Sequence, residues 1–167
     1  MEDSGNQFRF FEKGILTDFQ VSEPGSTSGS ITPPIAIAVA PNFSTLASVN
    51  INIEHQTDRV WLNATVGLVA HFESVGTVDV TLQLLRGTTV IYQTTKSISS
   101  PKRGTVTTLD TTFTTFDTVH LEHVDTTPLT GIPATVTYTL RAQANQAIVT
   151  TSGPITLTAA ELEQNPD

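Results

Sequence analysis

The chain contains no cysteine, which excludes disulfide staples and thiolate chemistry from any account of it. Basic residues are scarce as well. Eight Lys and Arg stand against sixteen Asp and Glu, for a formal charge of -8 and a pI near 4.8. The eight are scattered along the chain, whereas phosphate binding needs them clustered, so the sequence argues against nucleic acid and against an anionic membrane surface as partners. Charged residues of both signs make up 14% of the chain, against about a quarter in ordinary domains, so the surface is poor at repelling its own copies. No apolar run approaches the ~18 residues of a membrane-crossing helix. Met1-Glu2-Asp3-Ser4-Gly5 offers neither a basic nor an apolar leader region, so no secretory signal is expected. A helical period of 3.6 is missing too, beyond a turn or so at Ala159-Ala160-Glu161-Leu162-Glu163.

What the chain has instead is threonine, 30 residues in 167. Thr is β-branched and stiff at χ1, which suits a pleated strand better than a helix. At this length the chain is one domain able to bury a single core. Short alternating segments lie between turn signals. Val49, Ile51 and Ile53 alternate with polar neighbours. Val60, Leu62, Ala64, Val66, Leu68, Ala70 and Phe72 share one face, with Trp61, Asn63, Thr65 and His71 on the other. Val78, Val80, Leu82 and Leu84 repeat the pattern, Arg86-Gly87-Thr88 reads as a hairpin turn, and Val136, Tyr138, Leu140 and Ala142 point inward again. Residues 147–159 give one or two closing strands interrupted at Gly153-Pro154. Roughly eight strands with short connections predict an all-β fold, an antiparallel β-sandwich of jelly-roll type carrying an extended N-terminal arm. The expected divisions are an assembly arm over residues 1–21, a Gly/Ser/Pro linker over 22–34, the sandwich over 35–163 and a short tail over 164–167.

Candidate chemistry is thin. His120-Leu121-Glu122-His123-Val124-Asp125 is the densest group of metal-ligating types. On a strand, however, His120 and Glu122 face one way while His123 and Asp125 face the other, and no zinc spacing is met. Gly25-Ser26-Thr27-Ser28-Gly29 misses the spacing of a nucleophile elbow. His55 and His71 read as structural polar residues on strands. Asn42-Phe43-Ser44 and Asn63-Ala64-Thr65 fit the glycosylation pattern, which without a leader reads as coincidence. No catalytic residues, metal or cofactor are expected, and the chain reads as a non-enzyme. Outward-facing Trp61 reads as a residue lying under the arm or in a subunit contact.

The arm carries the sharper signal. Four of the eight Phe residues, Phe8, Phe10, Phe11 and Phe19, lie in the first nineteen positions, where a free disordered tail would be poor in aromatics. Phe8 and Phe10 share one strand face; Ile15, Phe19 and Val21 share another. Such a strand cannot bury its apolar side alone, so Phe8, Phe10, Phe11, Ile15, Phe19 and Val21 are the expected subunit-contact residues, docking on a neighbouring copy; the alternative is an arm that folds back on its own domain.

Asp58-Arg59-Val60-Trp61-Leu62-Asn63-Ala64-Thr65-Val66-Gly67 resembles the opening of the exosporium protein C-like family of spore-surface proteins from endospore-forming bacteria. The likeness continues through residues 84–94, Val136-Thr137-Tyr138-Thr139-Leu140 and residues 153–159. It covers about residues 46–163 and is a pattern of strands more than a sharp motif. The resemblance implies a jelly-roll-like domain at a spore surface, in an exosporium or a spore appendage, with no catalytic residues to carry over. It implies copies of itself and other spore coat proteins as partners. A surface binding module for carbohydrate or another coat protein is the alternative reading.

Overall fold

The structure is a computed structural model and describes residues 15–32, 34–101, 112–126, 131 and 133–163. Among these residues there is no helix. Eleven strands follow in order: β1 (Ile15–Gly25), β2 (Ile35–Ala36), β3 (Ala38–Val39), β4 (Ser44–Ile53), β5 (Arg59–Phe72), β6 (Thr77–Arg86), β7 (Thr89–Ser99), β8 (Phe113–Asp125), β9 (Ala134–Ala144), β10 (Val149–Thr151) and β11 (Ile155–Glu163).

Two sheets pack face to face. In the first, the long strands run β1-β11-β5-β8, with β10 and β2 continuing beside the far end of β5. In the second they run β4-β9-β6-β7, with β3 added beside the end of β9. Apart from the two-residue β3 contact, every pairing is antiparallel. Taking the eight long strands in chain order, the sheets read 1-8-3-6 and 2-7-4-5, which is the strand order of a jelly roll. The expected fold is therefore present. The alternating apolar residues of β4, β5, β6 and β9 meet in one core, in which Leu62, Val66, Leu82, Leu84, Tyr138 and Leu140 are fully buried.

The chain's divisions differ from the sequence reading. Residues 15–21, expected as arm, and Ser22–Gly25, expected as linker, are β1, which runs antiparallel to β11 within the same sandwich. The physical reason is that the edge of β11 has backbone groups that need partners, and β1 supplies them by antiparallel pairing, with half-buried Asp18, Gln20 and Ser22 on its inward side,. Phe8, Phe10 and Phe11 lie outside the described residues, as does the 164–167 tail. At the other end, Ala159–Glu163 is strand and not a helical turn, because β5 and β1 hydrogen-bond it from both sides.

Between β10 and β11 the chain leaves the ladder and passes over β5. Gly67 N donates to the Pro154 carbonyl at 2.7 Å, and Thr151 Oγ1 donates to the Gly67 carbonyl. A Cβ on Gly67 would overlap the Gly153 carbonyl, and Gly153 itself holds φ +108°, a region closed to side chains. The two glycines make that crossing feasible. Each open corner of the sandwich is sealed by side chains, a common way to manage sheet edges. At the β1/β4 corner Asp18 Oδ2 accepts from Asn52 N at 2.9 Å. At the β7/β8 corner Lys96 Nζ sits 3.0 Å from Asp117.

Candidate functional site: the outer face of the six-stranded sheet

Strand neighbours in register point their side chains to the same face, so the pairings define rows across the sheet. One row runs Phe19 (β1), Ala160 (β11), Trp61 (β5), Val124 (β8), on the face turned away from the core. Four strands span about 14 Å at the usual spacing. Phe19 is 55% exposed and Trp61 and Val124 are each 41% exposed, while Ala160, the small residue between the two rings, is covered. Trp61 Nε1 donates to Glu122 Oε1 at 3.0 Å, which fixes the indole on the face. Exposed Leu16 lies beside Leu162 in the adjoining row, and exposed Val21 extends the apolar surface on the other side. Phe116 is more exposed still but stands apart, near the other end of β8 and opposite Val69.

The outer face of the second sheet has a different character. There Thr81 and Thr95 hydroxyls lie 3.2 Å apart, Thr135 and Thr137 donate to Asn52 and Asn50, and Arg141 donates to Gln83. Polar side chains satisfy one another across the strands and remain suited to water. Large hydrophobic side chains gathered on one face of a soluble domain mark a contact surface.

Of the six expected contact residues, the structure describes three. Phe19 and Val21 sit on the apolar face as expected. Ile15 does not share it: the register shifts between Leu16 and Asp18, placing a β-bulge at Thr17, so Leu16 joins the face and Ile15 pairs with Glu163 on the opposite side. A bulge inverts the alternation on one side of it, and period counting through Thr17 assumes none. The His/Glu group on β8 divides as a strand requires. His120 hydrogen-bonds Thr65 and Glu122 holds Trp61, while His123 turns to Tyr92, with ring centroids 5.4 Å apart, and Asp125 enters the sandwich.

A polar group missed from the sequence lies at the end of β11. Glu161 is 1% exposed. Its carboxyl accepts from Thr17 Oγ1 of β1 at 2.5 Å and from Glu54 N at 3.1 Å. Asp58, in the turn between β4 and β5, is the charged group beside it. His55, expected on a strand without a partner, lies in that turn, with Nδ1 at 3.5 Å from Asp58 and 3.6 Å from Glu163. Burial pushes the Glu161 carboxyl above its ordinary value and the neighbouring Asp58 pushes it further, against the Thr17 and Glu54 bonds. Asp18 is displaced the other way, chiefly by the Asn52 amide. The signal for Glu161 was its place in the inward series Ile155, Leu157, Ala159, Glu161, legible only once the strand is carried to its full length.

No protein-family model and no curated protein sequence matches this chain. Solved structures do. The dimeric latent PorU of Porphyromonas gingivalis is similar over 90% of this chain and 13% of its own, at 13% identity and a TM-score of 0.42. The T13 particle of infectious bursal disease virus is similar over 98% of this chain and 40% of its own, at 10% identity and a TM-score of 0.42. The VP2 subviral particle of the same virus gives 88% and 32%, 15% identity and a TM-score of 0.36. This chain thus spans less than half the length of each, and likeness at this level carries no functional argument.

Proposed function

We propose that this chain is a non-enzymatic structural subunit that assembles with copies of itself through the outer face of the six-stranded sheet. The observation that carries the reading is the exposed Phe19–Trp61–Val124 row. Two copies pairing face to face would set apolar row on apolar row and leave each polar sheet in water, the self-complementary arrangement of a two-fold contact. Aromatic anchors such as Trp61 contribute disproportionately to such interfaces. The low share of charged residues, 14%, supports close approach of like surfaces. The resemblance to exosporium protein C-like proteins supports a spore-surface setting, in an exosporium or appendage, with other coat proteins as further partners.

The test is sedimentation and electron microscopy of the full chain beside Phe19→Ser, Trp61→Ser and, as a control at the far end of the face, Phe116→Ser. Assembly in the parent, lost in the first two and kept in the third, is expected. Assembly untouched by the first two overturns the reading. A parent that stays monomeric, yet shows a saturable change in fluorescence of its single tryptophan with glycan or a coat protein, favours the binding module instead.

A further inference from the structure

Three pieces of chain meet at Glu161. Thr17 comes from the bulge of β1, Glu54 N from the start of the β4–β5 turn, and the carboxyl itself from β11. Asp58 closes the group from below. Its side chain is 1% exposed; Oδ2 accepts from His55 N at 2.8 Å, while Oδ1 is buried with no donor. A buried acceptor without a donor is costly, and two adjacent carboxylates repel each other unless they share a proton. One proton on the pair fills the vacant Oδ1 and removes the repulsion in the same step.

From this geometry we infer that Asp58 and Glu161 form a proton-operated latch, closed in acid, which holds β1 and the β4–β5 turn against β11. Leu16, Phe19 and Val21 of the apolar face ride on β1, so the latch governs the surface to which we assign assembly, and in that respect it rests on the proposed function. The other charged groups around it do not supply the missing donor. Asp18 on β1, the register neighbour of Glu161, turns its carboxylate to Asn52 N and Gln20. Glu163 follows on β11, and the Glu54 side chain is exposed. Arg59 of β5 pairs in register with Leu162 of β11, on the outward face and not the side of Glu161, and Asp125, farther across the same sheet, is engaged by Arg86. His55 faces Asp58 and Glu163, with Nδ1 at 3.5 Å and 3.6 Å from them.

The raised Glu161 value fixes the sign. A carboxyl whose folded pKa exceeds its unfolded one binds its proton more tightly when folded. Its contribution is whole below the ordinary 4.5 and disappears as pH rises through the raised value,.

The experiment follows the dilute monomer from about pH 5 to about pH 8 by thermal unfolding and by amide exchange along β1, with Glu161→Gln and Asp58→Asn alongside. Either amide donates within the pair without a titrating proton, and each variant keeps the volume of the native residue. The native chain is expected to lose roughly 3 °C or more of Tm relative to Glu161→Gln. Its β1 amides should exchange several-fold faster than those of the variant at the same high pH, and Asp58→Asn should behave like Glu161→Gln. Parallel pH profiles in the native chain and Glu161→Gln, or β1 exchange identical in the two, would overturn the latch. Because these readouts need no assembly, a chain that never associates overturns the proposed function while leaving the latch testable. Assembly that persists with identical profiles overturns the latch alone.

Discussion

Asp125 is where one side chain binds the two sheets to each other. It points inward from β8 and receives Arg86 Nη1 from β6, at 3.2 and 3.1 Å to its two oxygens, and the Tyr138 hydroxyl from β9 at 2.9 Å. Burial, with the Asp125 charge behind it, pushes the Tyr138 phenol well above its ordinary value, so it remains a donor at any working pH. Removing one member of a buried ion pair leaves the other charge uncompensated, whereas removing a neutral donor leaves the pair standing. Asp125→Asn is therefore expected to destabilise the fold by about 3 kcal/mol and Tyr138→Phe by about 1 kcal/mol, both read from urea unfolding. The reverse order would mean that the other surroundings of Arg86 hold it once Asp125 is gone.

Among the elements, β1 has two roles. It covers the free edge of β11 and helps seal the β1/β4 corner through Asp18 and Thr17, and it also carries Leu16, Phe19 and Val21 of the outward apolar face. Such a strand cannot be removed as a detachable arm. Deleting residues 1–21 takes Ile15–Val21 out of β1 and uncovers buried Glu161. The deletion is thus expected to lower Tm by several degrees in addition to any effect on assembly. A deletion that leaves Tm unchanged would show that β1 adds nothing to the stability of the sandwich.

At the scale of the molecule, the jelly-roll order pairs strands that are far apart along the chain: Ile15 with Glu163, and β4 with β9 across the whole of β5 to β8. Among the described residues, only β6 and β7 form a local hairpin in one sheet, with Gly87 at φ +57° in its turn. Chains whose contacts are mostly non-local must close long loops before pairing stabilises them, and they fold slowly. Refolding by stopped-flow fluorescence of Trp61 is expected over milliseconds to seconds or longer. A microsecond main phase would contradict this topology as the folded state.

How much of this was legible in the sequence follows from the range of each interaction. The period of two is local, so the inward faces of β4, β5, β6 and β9, the Arg86–Thr88 turn and the break at Gly153-Pro154 could all be read directly. So could the division of His120 and Glu122 from His123 and Asp125. Register between distant strands is not local. It decided that residues 15–25 belong to the sandwich despite their linker-like end, and that Leu16 replaces Ile15 on the apolar face across a bulge. It also carried β11 through Ala159–Glu163 by pairing on both edges, placing Glu161 beside Thr17, Glu54 and Asp58. The Phe19–Trp61–Val124 row likewise exists only because β11 and β5 bring together residues that the chain itself keeps far apart. Local alternation fixed which residues face the core, and tertiary pairing alone fixed which outward residues stand side by side.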